Sequence, residues 1–113
     1  MADRSEGAAF SQLRRGVLEY CVMAALRDGE RYGYELVSSL GEILSSEGTI
    51  YPLLSRLRKD GWVKTSWQES ASGPPRRYYS LTNSGRAALE LFKGEWVRFR
   101  DAVDQNLDTR GTA

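Results

Sequence analysis

The sequence predicts a mainly α-helical fold with a small β wing (α+β), in which a winged helix-turn-helix precedes one long C-terminal helix. Helical periodicity at both ends of the chain is the first observation behind this prediction. The second is a short amphipathic helix that stops at Asp60-Gly61 and leads directly into a strand. The third is a basic strand that returns after a loop rich in Ser, Gly and Pro. This order of elements is typical of a winged helix, a fold that places one helix in a DNA groove.

Size, hydropathy and cysteine content narrow the class of protein. A chain of 113 residues fits one domain. No apolar run approaches the roughly 20 residues that a membrane span needs, so no membrane partner is expected. The N-terminus carries both charge signs and lacks the apolar stretch of a signal peptide. The one cysteine, Cys21, gives no disulfide framework and favours a reducing, cytoplasmic location. Its apolar surroundings favour a buried packing residue over a thiol sensor.

The positive charge is concentrated in one part of the chain, although the formal net charge is only +1. Residues 1–53 carry five Arg and eight acids, net −3, and residues 83–113 are balanced. Residues 54–82 carry six bases and two acids, net +4. Local clusters decide the attraction of phosphate beyond a Debye length of about 8 Å. The third helix and the wing are therefore the expected DNA-binding surface, and an ordinary solvated pair of strands is the alternative.

Two helices are predicted ahead of the central one. Residues 1–10 are small and polar and are expected to be flexible. Apolar residues recur at helical spacing over residues 11–27, which predicts one helix with a broad buried face, ended by Asp28-Gly29. A shorter helix starts at Tyr32-Gly33-Tyr34. We expect Gly33 to let the helices approach closely, and its two tyrosine neighbours either pack at the edge of the core or contact DNA.

The third helix and the wing follow. The Ser46 hydroxyl is expected to cap the third helix, which buries its apolar residues at positions 50, 53, 54 and 57. Pro52 should bend this helix and make its start irregular, because proline removes a backbone donor. Alternating residues after Val63 predict a half-buried strand. An exposed loop is expected over residues 69–75, before the returning strand of residues 76–81.

The last helix is longer than one small domain can cover. Thr82 is expected to cap it. A helix of about 24 residues spans about 36 Å, and its apolar residues form a seam of the kind that packs lengthwise on other helices. The seam consists of Leu89, Phe92, Trp96, Phe99 and Val103. A second copy of the chain is therefore expected to cover it. The expected division is a flexible N-terminus 1–10, a winged helix-turn-helix 11–82, a dimerisation helix 83–108 and a tail 109–113.

Several segments in a family-like order carry a resemblance: Leu13 to Glu19, Tyr32 to Leu36, Ser46 to Leu54, Arg56-Leu57, Asp60 to Val63, Gly73 to Thr82, and Gly85. Together they resemble the PadR family of bacterial transcriptional regulators, from about Leu13 to Trp96. The short C-terminal region is similar to that of the smaller members. Many members have a His where this chain has Tyr32, and the chain has no His at all. A proton-sensing role for such a His is therefore absent.

The resemblance implies a homodimeric repressor that reads an inverted repeat in double-stranded DNA. The C-terminal helix would pack on the partner's N-terminal helix, which adds Leu13 and Val17 to the dimerisation residues. Dimeric helix-turn-helix proteins set their recognition helices about 34 Å apart, so the site should be palindromic. In drug-sensing members, a Trp at the matching place stacks on flat aromatic compounds. This implies an effector site at Phe92, Trp96 and Phe99 for a planar aromatic ligand, unless these bulky rings fill the dimer core.

Base contacts are expected from the start of the third helix. Thr49 can hydrogen bond to a base edge or touch a thymine methyl group, and Tyr51 lies next to it on the helix. Ser46 and Glu47 are their expected neighbours at the DNA. For Tyr51, packing against the wing is the alternative.

Phosphate contacts are expected further along the helix and on the wing. Arg56 and Lys59 lie towards the end of the third helix, and Arg76 and Arg77 follow the loop of the wing. At least one of the two wing arginines should reach the minor groove or the backbone. Gly73 would let the tip of the wing approach the backbone closely. Phosphate contacts set the register on DNA, whereas base contacts carry the sequence preference.

Catalysis, metal binding and cofactor binding are not expected. The chain has no His to act as a base, its cysteine lies in an apolar stretch, and it has no Gly-rich phosphate loop or cluster of metal ligands. The alternative to a DNA-binding regulator is a winged helix that binds a protein partner, with its basic strand facing an acidic surface. Salt-dependent binding to duplex DNA, with preference for one palindrome, would separate the two.

Overall fold

A computed structural model describes residues 7–107 as five α-helices, a small antiparallel sheet and two short 3₁₀ turns. The fold is mainly α with a β wing, as predicted. The elements are α1 (Ala8–Arg15), α2 (Leu18–Ala25), β1 (Arg31–Tyr32), α3 (Gly33–Leu40), α4 (Ile50–Lys59), β2 (Val63–Ser70), β3 (Gly73–Leu81) and α5 (Asn83–Leu107), with 3₁₀ turns at Gly41–Ile43 and Glu47–Thr49. The tail 109–113 and the first six residues of the N-terminal segment lie outside the described residues.

The single helix predicted over residues 11–27 is wrong, because the structure has two helices there. α1 ends at Arg15 and α2 begins at Leu18. Gly16 is a poor helix former, and Val17 leaves the helical conformation with φ −123° and ψ −13°. α1 begins at Ala8, inside the segment expected to be flexible, and none of its residues is buried. The first helix is therefore an arm beside the domain, whereas α2 belongs to the core.

The core lies between α2, α3, α4 and one face of the sheet. Its fully buried side chains come from the three helices and are Val22, Met23, Leu26, Leu36, Ile50, Leu54 and Leu57. Cys21 is half-buried beside them, and this burial raises the pKa of its thiol. A raised pKa disfavours the reactive thiolate at neutral pH, in keeping with a packing residue.

The start of α4 is irregular, as predicted, but Ser46 does not cap it. The backbone forms a 3₁₀ turn over Glu47–Thr49 before α4 begins at Ile50. The Ser46 side chain makes no capping hydrogen bond. Instead, the Thr49 hydroxyl donates to the Ser46 carbonyl oxygen at 2.8 Å. The predicted effect of Pro52 is wrong: it is the third residue of α4, so its missing donor falls in the first turn, where no intrahelical bond is lost. The irregular start is the 3₁₀ turn that precedes it.

The wing is a longer hairpin than the sequence predicts. β2 and β3 pair from Val63 opposite Leu81 to Ser70 opposite Gly73, so only two residues remain in the turn. The exposed loop predicted over residues 69–75 is therefore wrong in extent. Pro74 and Pro75 lie in β3, beyond the reach of β1, which pairs only with Tyr78 and Tyr79. Proline is tolerated there because that side of β3 is an edge.

The start of α5 is fixed to the beginning of β2 by Thr82, whose predicted capping role is confirmed. The Gly85 N–H donates to the Thr82 hydroxyl oxygen at 3.0 Å, and that hydroxyl donates to the Gly61 carbonyl at 2.6 Å. The Thr82 N–H donates to the Trp62 carbonyl at 3.1 Å. Position 85 requires glycine, because the Cβ of any other residue would overlap the Trp62 carbonyl oxygen.

Beyond Phe92, which still stacks on Tyr20 of α2, α5 leaves the body of the domain. The helix has 25 residues and none after Leu89 is buried. Its length of about 37 Å therefore extends well past the core. Over residues 7–107, no helix combines the length and apolar character needed to cross a membrane.

Candidate nucleic-acid interface and apolar groove

α4 presents a basic face to solvent. Four apolar side chains bury its inner face, at Ile50, Leu53, Leu54 and Leu57. The intervening side chains are exposed, and its last turn carries three basic residues, Arg56, Arg58 and Lys59. Arg58 was not among the residues expected at DNA, although its spacing relative to the buried leucines places it on the outer face. The N-terminal end of this face holds Ser46, Glu47 and Thr49, all exposed.

Tyr51 packs against the start of α3. A Cβ added to Gly33 would lie 2.5 Å from the Tyr51 hydroxyl oxygen. Gly33 was expected to let the first two helices approach closely, but its close neighbour in the structure is the Tyr51 side chain of α4. Tyr51 is still 51% exposed, so part of its ring remains on the outer surface next to Thr49. The Thr49 hydroxyl already donates to the Ser46 carbonyl, which leaves its lone pairs and methyl group for other contacts.

Arg56 is tied to the domain and is not a free surface cation. Its Nη2 donates to Glu19 Oε1 at 2.7 Å, which links α4 to α2. An exposed pair of this kind contributes little to stability, but it neutralises part of the positive charge of Arg56. In the described part of the chain, Lys59 and Arg58 have no such acidic partner.

The two wing arginines lie on opposite faces of β3, and each is stacked on a different ring. The Arg76 guanidinium carbon lies 4.4 Å from the centroid of Tyr32, at the start of α3. The Arg77 carbon lies 5.4 Å from the centroid of Trp67, its partner on β2. Arg77 is half-buried, and its Nε is enclosed without a hydrogen-bond partner among the described residues. Arg76 is therefore the wing arginine that is open to solvent.

The tip of the wing is exposed and uncrowded. Gly73 begins β3, and no described atom lies within 4 Å of the place where its Cβ would stand. Its φ is not positive, unlike that of Gly61, which turns the chain after α4 at φ 81°. The predicted role of Gly73 in close approach to DNA remains a prediction.

An apolar groove of about 700 Å³ lies between α1 and the outer part of α5. It brings together six of the residues expected at a dimer or effector site, Leu13, Val17, Phe92, Trp96, Phe99 and Val103. Leu89 is the exception, because it is only 3% exposed and belongs to the core of its own chain. Leu89 is therefore not available to a partner. Phe10 of α1 also lines the groove and was not anticipated, since it lies in the segment expected to be flexible.

The aromatic residues that α5 contributes to the groove form a continuous series of ring contacts. Phe92 stacks on Tyr20 of α2 with centroids 4.0 Å apart and planes 1° apart. Trp96 follows at 6.4 Å from Phe92, and Phe99 at 6.4 Å from Trp96. Phe92 is thus held by its own domain, whereas the rings of Trp96 and Phe99 on α5 and of Phe10 on α1 are exposed. Burial, with smaller contributions from Glu19 and Glu95, raises the pKa of Tyr20.

One contact connects the groove with the segment that leads into α4. The Arg14 Nε–H donates to the Ile43 carbonyl oxygen at 2.7 Å, and both residues line the groove. The Arg14 guanidinium also lies 5.1 Å from the centroid of Phe10. Ile43 ends the 3₁₀ turn that follows α3, so the groove touches the connection between α3 and α4.

The same fold and sequence features occur in known transcriptional regulators. Residues 22–91 match the sequence model of the transcriptional regulator PadR-like family. A PadR-like transcriptional regulator from Bacillus cereus has a crystal structure with a TM-score of 0.76 and 39% identity, covering 85% of this chain and 96% of that one.

A second relative is longer than this chain. The negative transcriptional regulator PadR of Bacillus subtilis is 32% identical over 78 residues, which is 65% of this chain and 43% of the relative. The crystal structure of that PadR with operator DNA has a TM-score of 0.61 and 31% identity, covering 67% of this chain and 46% of that one. Since the family match covers more than half of the residues, the chain belongs to the PadR-like family of transcriptional regulators.

Proposed function

We propose that the chain is a DNA-binding repressor that acts as a homodimer on an inverted repeat. The observation that carries the proposal is the exposed basic face of α4 beside the open Arg76 of the wing. The exposed polar residues at the start of α4 are suited to contact base edges in the major groove, and the cations at its end are suited to contact the flanking phosphates. The B. subtilis relative is named a negative regulator and was crystallised with its operator, which supports both repression and DNA as the partner.

The exposed apolar surface of α1 and α5 supports the proposed homodimer. The outer part of α5 has no buried residue, and the groove beside it exposes large apolar side chains. Contiguous exposed apolar surface of this kind marks an interface. A second copy that lays its α1 and α5 against this surface would pair two α4 helices. Two recognition helices about one turn of B-DNA apart would read a palindrome.

The DNA contacts divide between the two ends of α4 and the wing. Thr49 and Tyr51, with Ser46 and Glu47 beside them, would face base edges. Lys59 and Arg76 would meet phosphates. Arg56, which is paired with Glu19, and Arg77, which is half-buried on Trp67, would support these positions more than they contact DNA.

We expect Arg76→Ala and Thr49→Ala to affect DNA binding in different ways. Arg76→Ala should weaken binding to every duplex and lower the slope of log K against log salt by about 1, because one phosphate contact is lost. Thr49→Ala should lower the preference for the operator over random DNA by about tenfold, because a base contact is lost. Fluorescence anisotropy on both duplexes across a salt series measures both quantities.

The matched control is Arg98→Ala, which removes an exposed arginine of α5 that lies outside the α4 and wing surface. It should leave both the affinity and the slope within about twofold of the unchanged chain. An equal loss on operator and random DNA for Thr49→Ala would contradict its role in base reading. An Arg76→Ala variant indistinguishable from Arg98→Ala would contradict the phosphate contact.

The groove is the proposed site for a planar aromatic effector that releases the DNA. Trp96 and Phe99 supply exposed rings, and flat compounds stack well on such rings. An effector bound in the groove would act on α4 through the hydrogen bond from Arg14 to the Ile43 carbonyl oxygen. Displacement of Arg14 would break this bond and loosen the segment before the recognition helix. The alternative is a groove completely filled by the second copy, with no room for a ligand.

A panel of planar aromatic compounds tests the effector directly. A true effector should quench tryptophan fluorescence, lower operator affinity and lose at least about tenfold in affinity on Trp96→Leu, because its stacking partner is removed. Trp67→Leu is the control for ligand binding, since Trp67 is an exposed tryptophan of the wing outside the groove. Equal effects of the two substitutions, or no binding by any compound, would contradict an effector site at Trp96.

A further inference from the structure

Tyr32 stands at the junction between the wing and the start of α3, surrounded by two rings and a guanidinium. The Arg76 guanidinium carbon lies 4.4 Å from the centroid of its ring. Tyr34 stacks on it at 6.5 Å with an interplanar angle of 26°, and Tyr78 meets it edge-on at 5.5 Å and 64°. Arginine and aromatic faces attract each other at such distances. The ring therefore lies where the wing, β1 and the start of α3 meet.

The backbone of Tyr32 is held from both sides. Tyr32 is a residue of β1, paired with Tyr78 of β3. Its backbone N–H donates to Glu35 Oε1 at 3.1 Å at the start of α3. The ring itself lies against the rings of Tyr34 and Tyr78, which limit its movement. Arg76, in contrast, has a long flexible side chain on the part of β3 that β1 does not reach.

The Arg76 guanidinium differs from those of Arg56 and Arg77. Within residues 7–107 it makes no hydrogen bond and no ion pair, and its carbon lies over the Tyr32 ring. Arg56 is paired with Glu19, and the Nε of Arg77 is enclosed. A guanidinium held over a ring by cation–π attraction uses none of its N–H donors in that contact, so they stay available for a phosphate. The Tyr32 ring thus holds the group without consuming its donors.

We propose that Tyr32 is a positioning residue for DNA binding, which holds the Arg76 guanidinium in the place where it meets a phosphate. This inference rests on the proposed function. Because the ring stays in one place, Arg76 would lose less side-chain freedom on binding than a solvated arginine does. Tyr32 would also couple the wing to α3, so that the phosphate contact keeps a constant distance from the recognition helix.

A double-substitution cycle on DNA affinity tests the proposal with Tyr32→Leu, Tyr32→Phe and Arg76→Ala. Tyr32→Leu should weaken binding to random duplex by about threefold, which is the size of an exposed cation–ring interaction. It should also reduce the salt slope, although the charge of the protein is unchanged. Tyr32→Phe keeps the ring and should bind as the unchanged chain does. In the Arg76→Ala background, Tyr32→Leu should cause no further loss.

The free protein gives a second measurement that does not depend on DNA. Ring stacking should shift the NMR resonances of the Arg76 side chain upfield, and Tyr32→Leu should abolish this shift while Tyr32→Phe preserves it. Tyr34→Leu is the matched control, because Tyr34 stacks on the Tyr32 ring, whereas the cation–π contact of Arg76 within residues 7–107 is with Tyr32. It should leave the Arg76 resonances and the salt slope close to their original values.

The outcomes separate this proposal from the function on which it rests. Losses that simply add in the two backgrounds, or a Tyr32→Phe variant as weak as Tyr32→Leu, would overturn the positioning role while DNA binding stands. Failure of the unchanged chain to bind duplex DNA even at low salt would contradict the proposed function itself, and the positioning role with it. Coupled losses, with rescue by Phe and a preserved ring shift, support the proposal.

Discussion

Phe99→Glu should convert the dimer to monomers and lower affinity for an inverted repeat by about 10² to 10⁴-fold, the usual gain from joining two binding modules. Phe99 is 59% exposed in the single chain and lines the apolar groove between α1 and α5. In the proposed dimer its ring is covered by the second copy. A carboxylate there would be removed from water without a partner, at a large cost in free energy.

The control for this prediction lies on the same helix. Val97 is 42% exposed and does not line the groove, so Val97→Glu adds the same charge to α5 outside the proposed interface. Sedimentation equilibrium should find Val97→Glu dimeric and Phe99→Glu monomeric. On a duplex with a single half-site, the two variants should bind with similar affinity, because each domain remains intact. A dimeric Phe99→Glu chain with unchanged operator affinity would contradict the interface.

Gly85→Ala should lower the free energy of unfolding by about 3 kcal/mol, at the upper end of the cost of overpacking. A Cβ at this position would overlap the Trp62 carbonyl oxygen, and a backbone atom cannot rotate aside as a side chain can. Relief requires α5 to move away from the chain before β2. That movement would strain the Thr82 bonds to the Gly61 and Trp62 carbonyls. The midpoint of thermal unfolding should fall by more than about 10 °C.

Gly94→Ala is the matched substitution, because Gly94 lies in the same helix with no described atom within 4 Å of its absent Cβ. It should raise the free energy of unfolding by about 0.5–1 kcal/mol, since alanine favours the helix more than glycine does. Both variants should be compared by denaturant unfolding at one protein concentration, because a dimer gains stability with concentration. Equal effects of the two substitutions would contradict the close contact at Gly85.

The order of the elements could be predicted because the signals for it are local. The Asp60-Gly61 turn, the strand after Val63 and the Thr82 cap each depend on neighbouring residues, and each is present in the structure. The alternation of burial along β2 holds only as far as Ser66, because Trp67 is 64% exposed. The division of α1 from α2 could not be predicted in this way. Val17 continues the apolar pattern of the helix, so the pattern hides the change of backbone direction at Gly16.

The length of the wing depends on a strand that the sequence argument did not identify. Pro74 and Pro75 read as loop residues because proline cannot donate to a central strand. They can lie in β3 because β1 is two residues long and ends before it reaches them. The extent of a neighbouring strand is a tertiary property, and no local signal in the proline pair reports it.

The residues of the candidate site were largely identified from the sequence, but their partners were not. Period-two alternation already separates Arg76 from Arg77, whereas their rings, Tyr32 and Trp67, become neighbours only in the folded sheet. Glu19 meets Arg56 across 37 positions of sequence. The 3–4 spacing that begins at Leu89 cannot tell whether a seam residue faces its own core or a second chain.

The central claim is that this fold reads an inverted repeat in duplex DNA. Its most direct test is the anisotropy of the unchanged chain on three duplexes across a salt series: DNA from upstream of its own gene, a version with one half-site scrambled, and random sequence. We expect binding to all three to weaken with salt, and the intact site to bind at least about 10³-fold more tightly than random DNA. Scrambling one half-site should remove most of that preference. Equal affinity for the three duplexes at every salt concentration would contradict the account and favour a protein partner for the winged helix.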